Sequence, residues 1–261
     1  MTIYSWNMLY RNKRPAEALA FVRDAGADIF CLQEVPAELL DELCASYPHS
    51  AYAIEMDRLI PAGAVSTYSV ILSRHPIAAS GTIALPEWDD VLPWRTKAMI
   101  RALRPLGWSR IKNRNAVWAD IDSPAGRVRA LCVHLTLSNP GWRLAEFEAA
   151  MLERDPSLPT IVAGDFNILE KPHIAPLNWF AGGRISDAFR YRRERMIVEA
   201  RFAAHELTNP LRGARTQTLS RSQLDHILVS RYFSVATAEV ISDRHGSDHH
   251  PIAVTLTEQP G

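Results

Sequence analysis

Short runs of apolar, strand-forming residues recur along the whole chain, and this feature limits the possible folds more than any other. Their length and composition are typical of strands that are buried on at least one face. We expect strands at residues 3–6, 28–34, 68–73, 77–85, 98–103, 116–121, 128–135, 160–163, 224–229, 235–241 and 251–257.

Helical segments separate some of these runs, at residues 15–25, 37–46 and 142–154. The first has Pro15 in its first turn and Gly26 just beyond its end, which is the usual asymmetry of helix termini. Strands interleaved with helices predict the α/β class, here a four-layer α/β sandwich in which two facing mixed β-sheets are flanked by helices. Because we find no linker, repeat or low-complexity tract, we expect a single domain over residues 1–261.

The charge balance excludes one class of protein. The 29 basic and 29 acidic residues give a formal net charge of zero, which excludes a strongly basic nucleic-acid-coating protein but not a local basic groove. The first residues lack the features of a secretory signal, and no apolar run approaches the ~20 residues that cross a bilayer. We therefore expect a soluble, cytoplasmic monomer without a transmembrane segment.

The three cysteines, Cys31, Cys44 and Cys132, do not have the spacing of a metal site. Cys31 and Cys132 lie within apolar runs, where free cysteine behaves as a small hydrophobic residue. This pattern indicates core packing in a reducing compartment.

Polar residues follow or end several of the predicted strands. Because strand ends in layered sheets converge on one rim, residues that are distant in sequence can meet there. The residues with this placement are Asn7, Glu34, His134, Asp165, Asn167, Asp248 and His249.

These residue types suit metal-assisted hydrolysis of a phosphate ester. Carboxylate and amide oxygens, such as those of Glu34, Asn7 and Asp248, are the ligands that a hard cation such as Mg²⁺ prefers. Hydrolysis also needs a positioned water and stabilisation of charge on the phosphoryl oxygens. Asp165 could orient or deprotonate that water, while the phosphoryl oxygens would receive hydrogen bonds from Asn167 and a protonated histidine, His249.

Taken singly, most of these residues also have a purely structural interpretation. Asn7 is typical of a turn or helix cap, and His134 alone fits a hydrogen-bonded core histidine. Asp225 is different, because a carboxylate inside an apolar strand must be paired, and its candidate partner is His249. The ordered occurrence of the whole set favours a functional site.

Six sequence elements, in order along nearly the whole chain, resemble those of the endonuclease/exonuclease/phosphatase superfamily. This superfamily includes deoxyribonucleases, repair nucleases, sphingomyelinases, inositol-polyphosphate phosphatases and deadenylases. The matching elements are Ser5-Trp6-Asn7, the D-(apolar)₄-Q-E pattern at residues 28–34, the ILSR-x-PI pattern at residues 71–77, Val133-His134-Leu135, Gly164-Asp165-Phe166-Asn167 and the SDHxP pattern at residues 247–251.

The resemblance implies a role for each matching position. Glu34 would be the main Mg²⁺ ligand, with Asn7 and Asp248 beside the cation and Mn²⁺ able to substitute. Asp165 would activate the attacking water, and Asn167 would bind phosphate. His249, supported by Asp225, would stabilise the transition state. His134 stands where the deoxyribonuclease and sphingomyelinase branches have histidine and the repair nucleases have tyrosine, which argues against the repair-nuclease branch.

Two positions depart from the family pattern. The arginine often found two residues before Asp225 is Gln223 here, and the threonine-plus-aromatic element upstream is Thr216-Gln217-Thr218-Leu219, without the aromatic. Neither departure removes a proposed catalytic group, but both affect expected substrate contacts.

The substrate is less constrained than the chemistry. A phosphodiester in a nucleic acid or nucleotide is the first candidate, and a phospholipid, sphingomyelin or sugar-phosphate ester is the alternative. The arginine-rich residues 184–231 include Arg190 and Arg193, which either form a basic lip for a polyanion or belong to a solvated helix face. Residues 88–114, with Trp94 and Trp108, are either a stacking loop or a packed excursion over a sheet.

Two other classes of function remain as alternatives. A noncatalytic binding module of the same fold is disfavoured, because the proposed catalytic residues are all present. A serine hydrolase would use Ser247, His249 and Asp225, but Ser247 lies too close in sequence to His249 for an ordinary triad, and no G-x-S-x-G motif is present.

Overall fold

The computed structural model describes residues 1–61, 63–106, 109–124 and 126–258. Its strands are β1 (Thr2–Asn7), β2 (Ile29–Pro36), β3 (His49–Ile60), β4 (Gly63–Ser73), β5 (Ile77–Ala84), β6 (Arg110–Lys112), β7 (Asn115–Ser123), β8 (Gly126–His134), β9 (Thr160–Asp165), β10 (Leu207–Thr208), β11 (Asp225–Ser230), β12 (Phe233–Val240) and β13 (Ile252–Glu258). Its α-helices are α1 (Pro15–Asp24), α2 (Ala37–Ala45), α3 (Trp94–Leu103), α4 (Pro140–Met151), α5 (Pro176–Phe180) and α6 (Tyr191–Ala204). Short 3₁₀ turns lie at Asp89–Val91, Arg104–Leu106 and Ile185–Ala188.

The strands form two mixed sheets. Within the described residues, the first sheet has the order β12-β13-β1-β2-β4-β3-β6 and the second has the order β10-β11-β9-β8-β7-β5. Each contains one parallel pair, β1 with β2 and β8 with β9, among antiparallel neighbours. The parallel pairs matter for function, because the carboxyl ends of both strands in such a pair meet at one edge.

Three apolar layers hold these sheets and helices together. Inward-facing residues of both sheets form the central core, which includes the buried cysteines Cys31 and Cys132. A second cluster, with Phe147 and Phe202, packs α4 and α6 on the outer face of the second sheet, and a third packs α1 and α2 on the first. The predicted four-layer α/β sandwich is therefore confirmed.

Local signals explain several of the helix boundaries. The carbonyl oxygen of the Asn139 side chain accepts a hydrogen bond from the backbone N–H of Trp142, and Pro140 occupies the first turn of α4. Pro15 has the same place in α1. None of the described helices combines the length and apolar character that crossing a bilayer requires.

The strand predicted at residues 98–103 is wrong, because this segment is the second half of α3. Its alanine, methionine, arginine and leucine residues are good helix formers, and extended Pro93 precedes the first turn. Of the stretch 88–114, which contains α3, Gly107 and Trp108 lie outside the described residues.

Strand β3, which was not among the predicted strands, has 12 residues and lies between β4 and the edge strand β6 of the first sheet. Its inward positions include the small residues Ala51 and Ala53, while the larger Tyr52 and Ile54 are exposed. The usual alternation of large apolar and polar residues is therefore absent.

Candidate active site

A cavity of about 510 Å³ lies at the edge where β1, β2, β8 and β9 end. Seven of the residues selected from the sequence line it, namely Asn7, Glu34, His134, Asp165, Asn167, Asp248 and His249. The eighth, Asp225, is fully buried beside His249. The structure thus brings together the polar residues at the strand ends.

Strand register makes three ionisable residues direct neighbours. His134 ends β8 and pairs with Asp165 at the end of the parallel strand β9. Asp225 begins the antiparallel strand β11 and pairs with Asp165 from the other side. The three side chains therefore come from adjacent strands at the same edge of the second sheet.

Unusual backbone conformations occur around this edge. Gly164 has φ +148°, and a Cβ atom at this position would lie 1.8 Å from the carbonyl oxygen of Val133, so only glycine fits. Glu34 and Asn167 have φ angles of 53° and 52°, in the left-handed region that residues with side chains rarely adopt. Such conformations cost about 1–3 kcal/mol each and concentrate at functional sites.

Two histidines flank the carboxylate of Asp165. The Nε2 atoms of His134 and His249 each lie 3.7 Å from Oδ2 of Asp165. The other ring nitrogen of each histidine contacts a second carboxylate: Nδ1 of His134 is 2.7 Å from Glu55 Oε1, and Nδ1 of His249 is 2.9 Å from Asp225 Oδ2. Each imidazole is thus oriented by a buried acid.

This arrangement shifts the pKa values of the central groups. Burial lowers the pKa of His249, but attraction to Asp225 and Asp165 outweighs that effect and raises the pKa to about 10. Burial also opposes protonation of His134, yet the Glu55 carboxylate raises the pKa of this histidine above its ordinary value. Burial and the neighbouring Asp225 carboxylate raise the pKa of Asp165, against the opposing attraction of His249. At neutral pH the imidazole of His249 is therefore cationic, with Asp165 and Asp225 on either side of it.

Asn167 connects the loop after β9 to the histidine end of β8. Its Nδ2 donates to the carbonyl oxygen of Leu135 at 2.8 Å and lies 3.1 Å from Nε2 of His134. Its backbone N–H donates to Asp165 Oδ1 at 2.8 Å. The amide is therefore held at the cavity wall next to both groups.

Glu34 and Asp248 offer oxygens that fit a divalent cation. Burial raises the pKa of Glu34, but attraction to Arg58 and His134 lowers it to about 2, so this carboxylate is deprotonated. Asp248 accepts a hydrogen bond at Oδ2 from Gln217 Nε2. Its buried Oδ1 has no hydrogen-bond partner among the described residues, which is costly unless another ligand meets it.

Asn7 lies between two of these carboxylates. Its Nδ2 donates to Asp165 Oδ2 at 3.0 Å and to Glu34 Oε1 at 3.3 Å, while its Oδ1 accepts from the backbone N–H of Leu9. In this orientation the amide links the carboxylates, and only a rotated amide would direct its oxygen toward a cation.

Asp165, Asp225 and His249 also form a compact group, with potential ligand atoms within 4.8 Å of one another. Asp225 and His249 are already joined by hydrogen bonds of 2.9 and 3.1 Å. We therefore interpret these two as an orienting pair, and Glu34 with Asp248 as the better cation ligands.

Two residues of the site were missed because strand β3 was not predicted. Glu55, fully buried, contacts His134 and accepts hydrogen bonds from the backbone N–H of Glu34 and from Ser69. Arg58 forms a 2.9 Å ion pair with Glu34. An acidic residue in a buried stretch, as in the sequence Ala53-Ile54-Glu55-Met56, was the signal that could have found the first of them.

Arg190 and Arg193 do not line the cavity. Both are exposed at the start of α6, whose buried face consists of Glu194, Val198 and Phe202. A substrate-binding role for the two arginines stays a prediction.

The sequence profile of the Endonuclease/Exonuclease/phosphatase family matches residues 4–249. The chain belongs to this family. It is accordingly an enzyme of the phosphoesterase class. Among curated proteins, no sequence matches it significantly.

Solved structures share the fold at low sequence identity. An endonuclease/exonuclease/phosphatase from Beutenbergia cavernae is 21% identical, with a TM-score of 0.70 over 99% of this chain and 71% of that one. A mannosyl-6-phosphatase from Bacteroides thetaiotaomicron is 17% identical, with a TM-score of 0.62 over 98% and 99% of the two chains. A 3′ phosphatase from Neisseria, bound to a product DNA hairpin, is 16% identical, with a TM-score of 0.56 over 98% and 99%.

Proposed function

We propose that this family member hydrolyses a phosphate ester by direct, in-line attack of water at phosphorus, with Mg²⁺ as the cofactor and Mn²⁺ able to replace it. The observation that carries the proposal is the buried carboxylate of Asp165 between two histidines that are each held by a second carboxylate. A carboxylate that can accept a proton, flanked by two imidazoles that can donate one, supports general acid–base catalysis at one point in the cavity.

Asp165 accepts a proton from the attacking water as the water oxygen bonds to phosphorus. Protonated His249 donates a hydrogen bond to a phosphoryl oxygen, where negative charge accumulates in the transition state. Asp225 keeps this imidazole charged and fixes its ring. The group that accepts the proton and the group that stabilises charge thus have different protonation states in one site.

The leaving oxygen needs a proton once its bond to phosphorus breaks. His134 would supply it from Nε2, the ring nitrogen that lies 3.1 Å from the Asn167 amide. Glu55 holds the opposite ring nitrogen and favours the protonated imidazole. The products are the alcohol and the phosphate (a phosphate monoester where the substrate is a diester), with one water consumed. Return of the proton from Asp165 to His134, whose Nε2 is 3.7 Å away, restores both groups.

The cation would be held by Glu34 and Asp248, with Asn7 completing the set if its amide rotates. Bound there, it supplies Lewis-acid stabilisation of charge on the phosphate. The deprotonated Glu34 supports this assignment, as does Oδ1 of Asp248, which lacks a hydrogen-bond partner within the described part of the chain.

Hydrolysis of bis-p-nitrophenyl phosphate tests the proposal. We expect release of nitrophenol with Mg²⁺, loss of the activity with EDTA, and recovery when Mg²⁺ or Mn²⁺ is returned. Absence of EDTA-sensitive activity on this diester and on a panel of phosphate monoesters would favour a noncatalytic binding module.

The serine-hydrolase alternative is disfavoured by the position of Ser247. Its hydroxyl donates to the backbone carbonyl of Asn7 at 2.8 Å and accepts from the backbone N–H of His249 at 3.0 Å. The hydroxyl therefore bonds to backbone atoms rather than to the imidazole, and it does not serve as a nucleophile.

A nucleic-acid or nucleotide ester is the first substrate candidate, and the Neisseria phosphatase with its DNA hairpin supports it. A lipid or sugar phosphate is the alternative, and the mannosyl-6-phosphatase supports the sugar-phosphate form. One observation favours an ester with an apolar group: Met99, Ile100 and Ile111 line the same cavity as the site residues.

A further inference from the structure

The cavity that contains the catalytic cluster continues into an apolar half. Side chains from the region before α3, from α3, from β6 and from the segment around α5 form this apolar wall, which we define as Leu92, Met99, Ile100, Ile111, Ile174 and Leu177. Each is only partly buried, so each keeps exposed apolar surface facing the cavity. Covering such surface is favourable, at about 25 cal/mol per Å².

Helix α3 contributes to this wall along one face. Thr96, Met99 and Ile100 line the cavity at the i, i+3 and i+4 spacing of neighbours on a helix surface. Polar contacts hold the helix in place: the Thr96 hydroxyl donates to the carbonyl oxygen of Phe180 at 2.7 Å, and Arg95 donates to the carbonyl oxygens of Trp179 and Gly183. The helix is thus held through its first turn, and its apolar side chains remain available to a ligand.

Among the described residues, three of the four arginines that line the cavity pair with carboxylates; Arg11, over the ring of Tyr10, and Lys13 also line it, on the loop after β1. Arg58 pairs with Glu34 and Arg114 with Glu146, both at 2.9 Å. Arg110 pairs with the buried Asp89. Of the cavity-lining cations, Arg110 comes from the elements of the apolar wall and is paired, so a polyanionic chain running along this wall itself would meet little free positive charge.

We propose that the cavity binds a phosphate ester carrying an apolar group, with the phosphate at Asp165 and the apolar group against the apolar wall. This inference rests on the proposed phosphoesterase function of the same site. The volume of about 510 Å³ lies within the usual range of small-molecule sites and accommodates both parts of such a ligand.

Binding of alkylphosphonates tests the inference without requiring turnover. These compounds carry a phosphonate head on a stable carbon–phosphorus bond, and calorimetry with Mg²⁺ compares methyl-, butyl- and octylphosphonate below their aggregation concentrations. We expect octylphosphonate to bind at least about tenfold more tightly than methylphosphonate, because each buried methylene adds affinity. Equal affinities along the series would overturn the inference.

A matched pair of variants on α3 tests whether the alkyl chain of the ligand binds at the apolar wall. Ile100→Asp places a charge on the apolar wall and should reduce the octyl-to-methyl affinity ratio by at least about tenfold. Ala98→Asp adds the same charge at an exposed position on the same helix and should leave the ratio unchanged. An unchanged ratio in a folded Ile100→Asp variant would exclude the apolar wall as the binding surface.

Turnover separates this inference from the proposed function. For methyl, butyl and octyl diesters of p-nitrophenyl phosphate, we expect kcat/KM to rise at least about tenfold from methyl to octyl. Hydrolysis without dependence on chain length, or a clear preference for a dinucleotide, would overturn the inference and leave the phosphoesterase function intact. If the phosphonates bind with chain-length dependence but no ester is hydrolysed, the apolar binding surface is supported and the phosphoesterase function is overturned.

Discussion

Asp165 is the residue at which the proposed chemistry is most directly tested. Replacing it with asparagine keeps the shape of the side chain but removes the proton acceptor, so turnover of bis-p-nitrophenyl phosphate should fall by about 10²–10⁴-fold. Because Glu34 and Asp248 would hold the cation, the Mg²⁺ concentration for half-maximal activity should change little. A variant with the wild-type rate would exclude Asp165 as the acceptor.

Glu34 separates metal binding from proton transfer. We expect Glu34→Gln to shift the Mg²⁺ titration of activity to at least about tenfold higher concentration, because the amide loses the negative charge that a hard cation prefers. Glu38→Gln, at an exposed position in the first turn of α2, is the matched control. An identical titration for both variants would remove Glu34 from the metal site.

Glu55 gives a pH-dependent prediction through its contact with His134. The carboxylate opposes the effect of burial and raises the pKa of this histidine, so Glu55→Gln should lower that pKa. If protonated His134 is the acid for the leaving group, the alkaline limb of the kcat/KM profile must move to lower pH. The comparison is the full pH–rate profile of Glu55→Gln against Glu38→Gln, and coincident profiles would contradict the role given to His134.

At the same scale, sequence motifs identified the residues that line the cavity better than those that support them. Asn7, Glu34, Asp165 and Asp248 stand at the ends of apolar runs, where a polar side chain is conspicuous. Glu55 supports the site from within a strand that the alternation of residues did not reveal, because small alanines occupy its inward positions. Its role depends on a contact with His134, a residue 79 positions away in the chain.

At the scale of elements, patterns of burial decided which segments were predictable. Fully buried strands such as β2 and β9 read as continuous apolar runs, and they were predicted correctly. Residues 98–103 of α3 were wrongly predicted as a strand. This helix has few buried residues, and its apolar side chains face a cavity instead of a core. The hydrophobic pattern of a helix that lines a cavity thus predicts its secondary structure less well than the pattern of an element that packs in the core.

The outer helices give a stability prediction at this scale. Arg143 in α4 and Glu194 in α6 form a buried pair with two contacts of 2.6 and 2.7 Å and side-chain exposures of 1% and 4%. Glu194→Ala leaves the guanidinium buried and unpaired, so the free energy of unfolding should fall by about 3–5 kcal/mol.

The matched control is Glu42→Ala, which breaks an exposed pair with Arg23 and should cost about 0–1 kcal/mol. Urea denaturation measures both variants. Equal losses would show that the buried pair does not hold α4 and α6 together.

For the whole molecule, the arrangement of sheets and helices in layers was the property that the sequence predicted best. Interleaved strands and helices predicted two sheets with helices outside, since each apolar face must be covered. The assignment of strands to sheets was not accessible in the same way. The first sheet combines β1 with β13 from the far end of the chain, through an antiparallel pairing that no local pattern specifies. That pairing brings Ser247 to Asn7, whose backbone carbonyl accepts a 2.8 Å hydrogen bond from the Ser247 hydroxyl.

The buried thiols of the central core provide a chemical reporter of this architecture. Cys31 in β2 and Cys132 in β8 face each other from opposite sheets, and a hydrogen bond with Cys132, together with burial, raises the pKa of Cys31 well above its ordinary value. Cys44 in α2 is partly exposed. An alkylating reagent should therefore label Cys44 alone in the native protein and reach the inner pair only when the sheets separate. The cavity is lined by residues from both sheets. Labelling of the inner thiols and loss of activity should therefore proceed in urea at the same rate. Mass spectrometry and rate assays on the same samples measure the two processes.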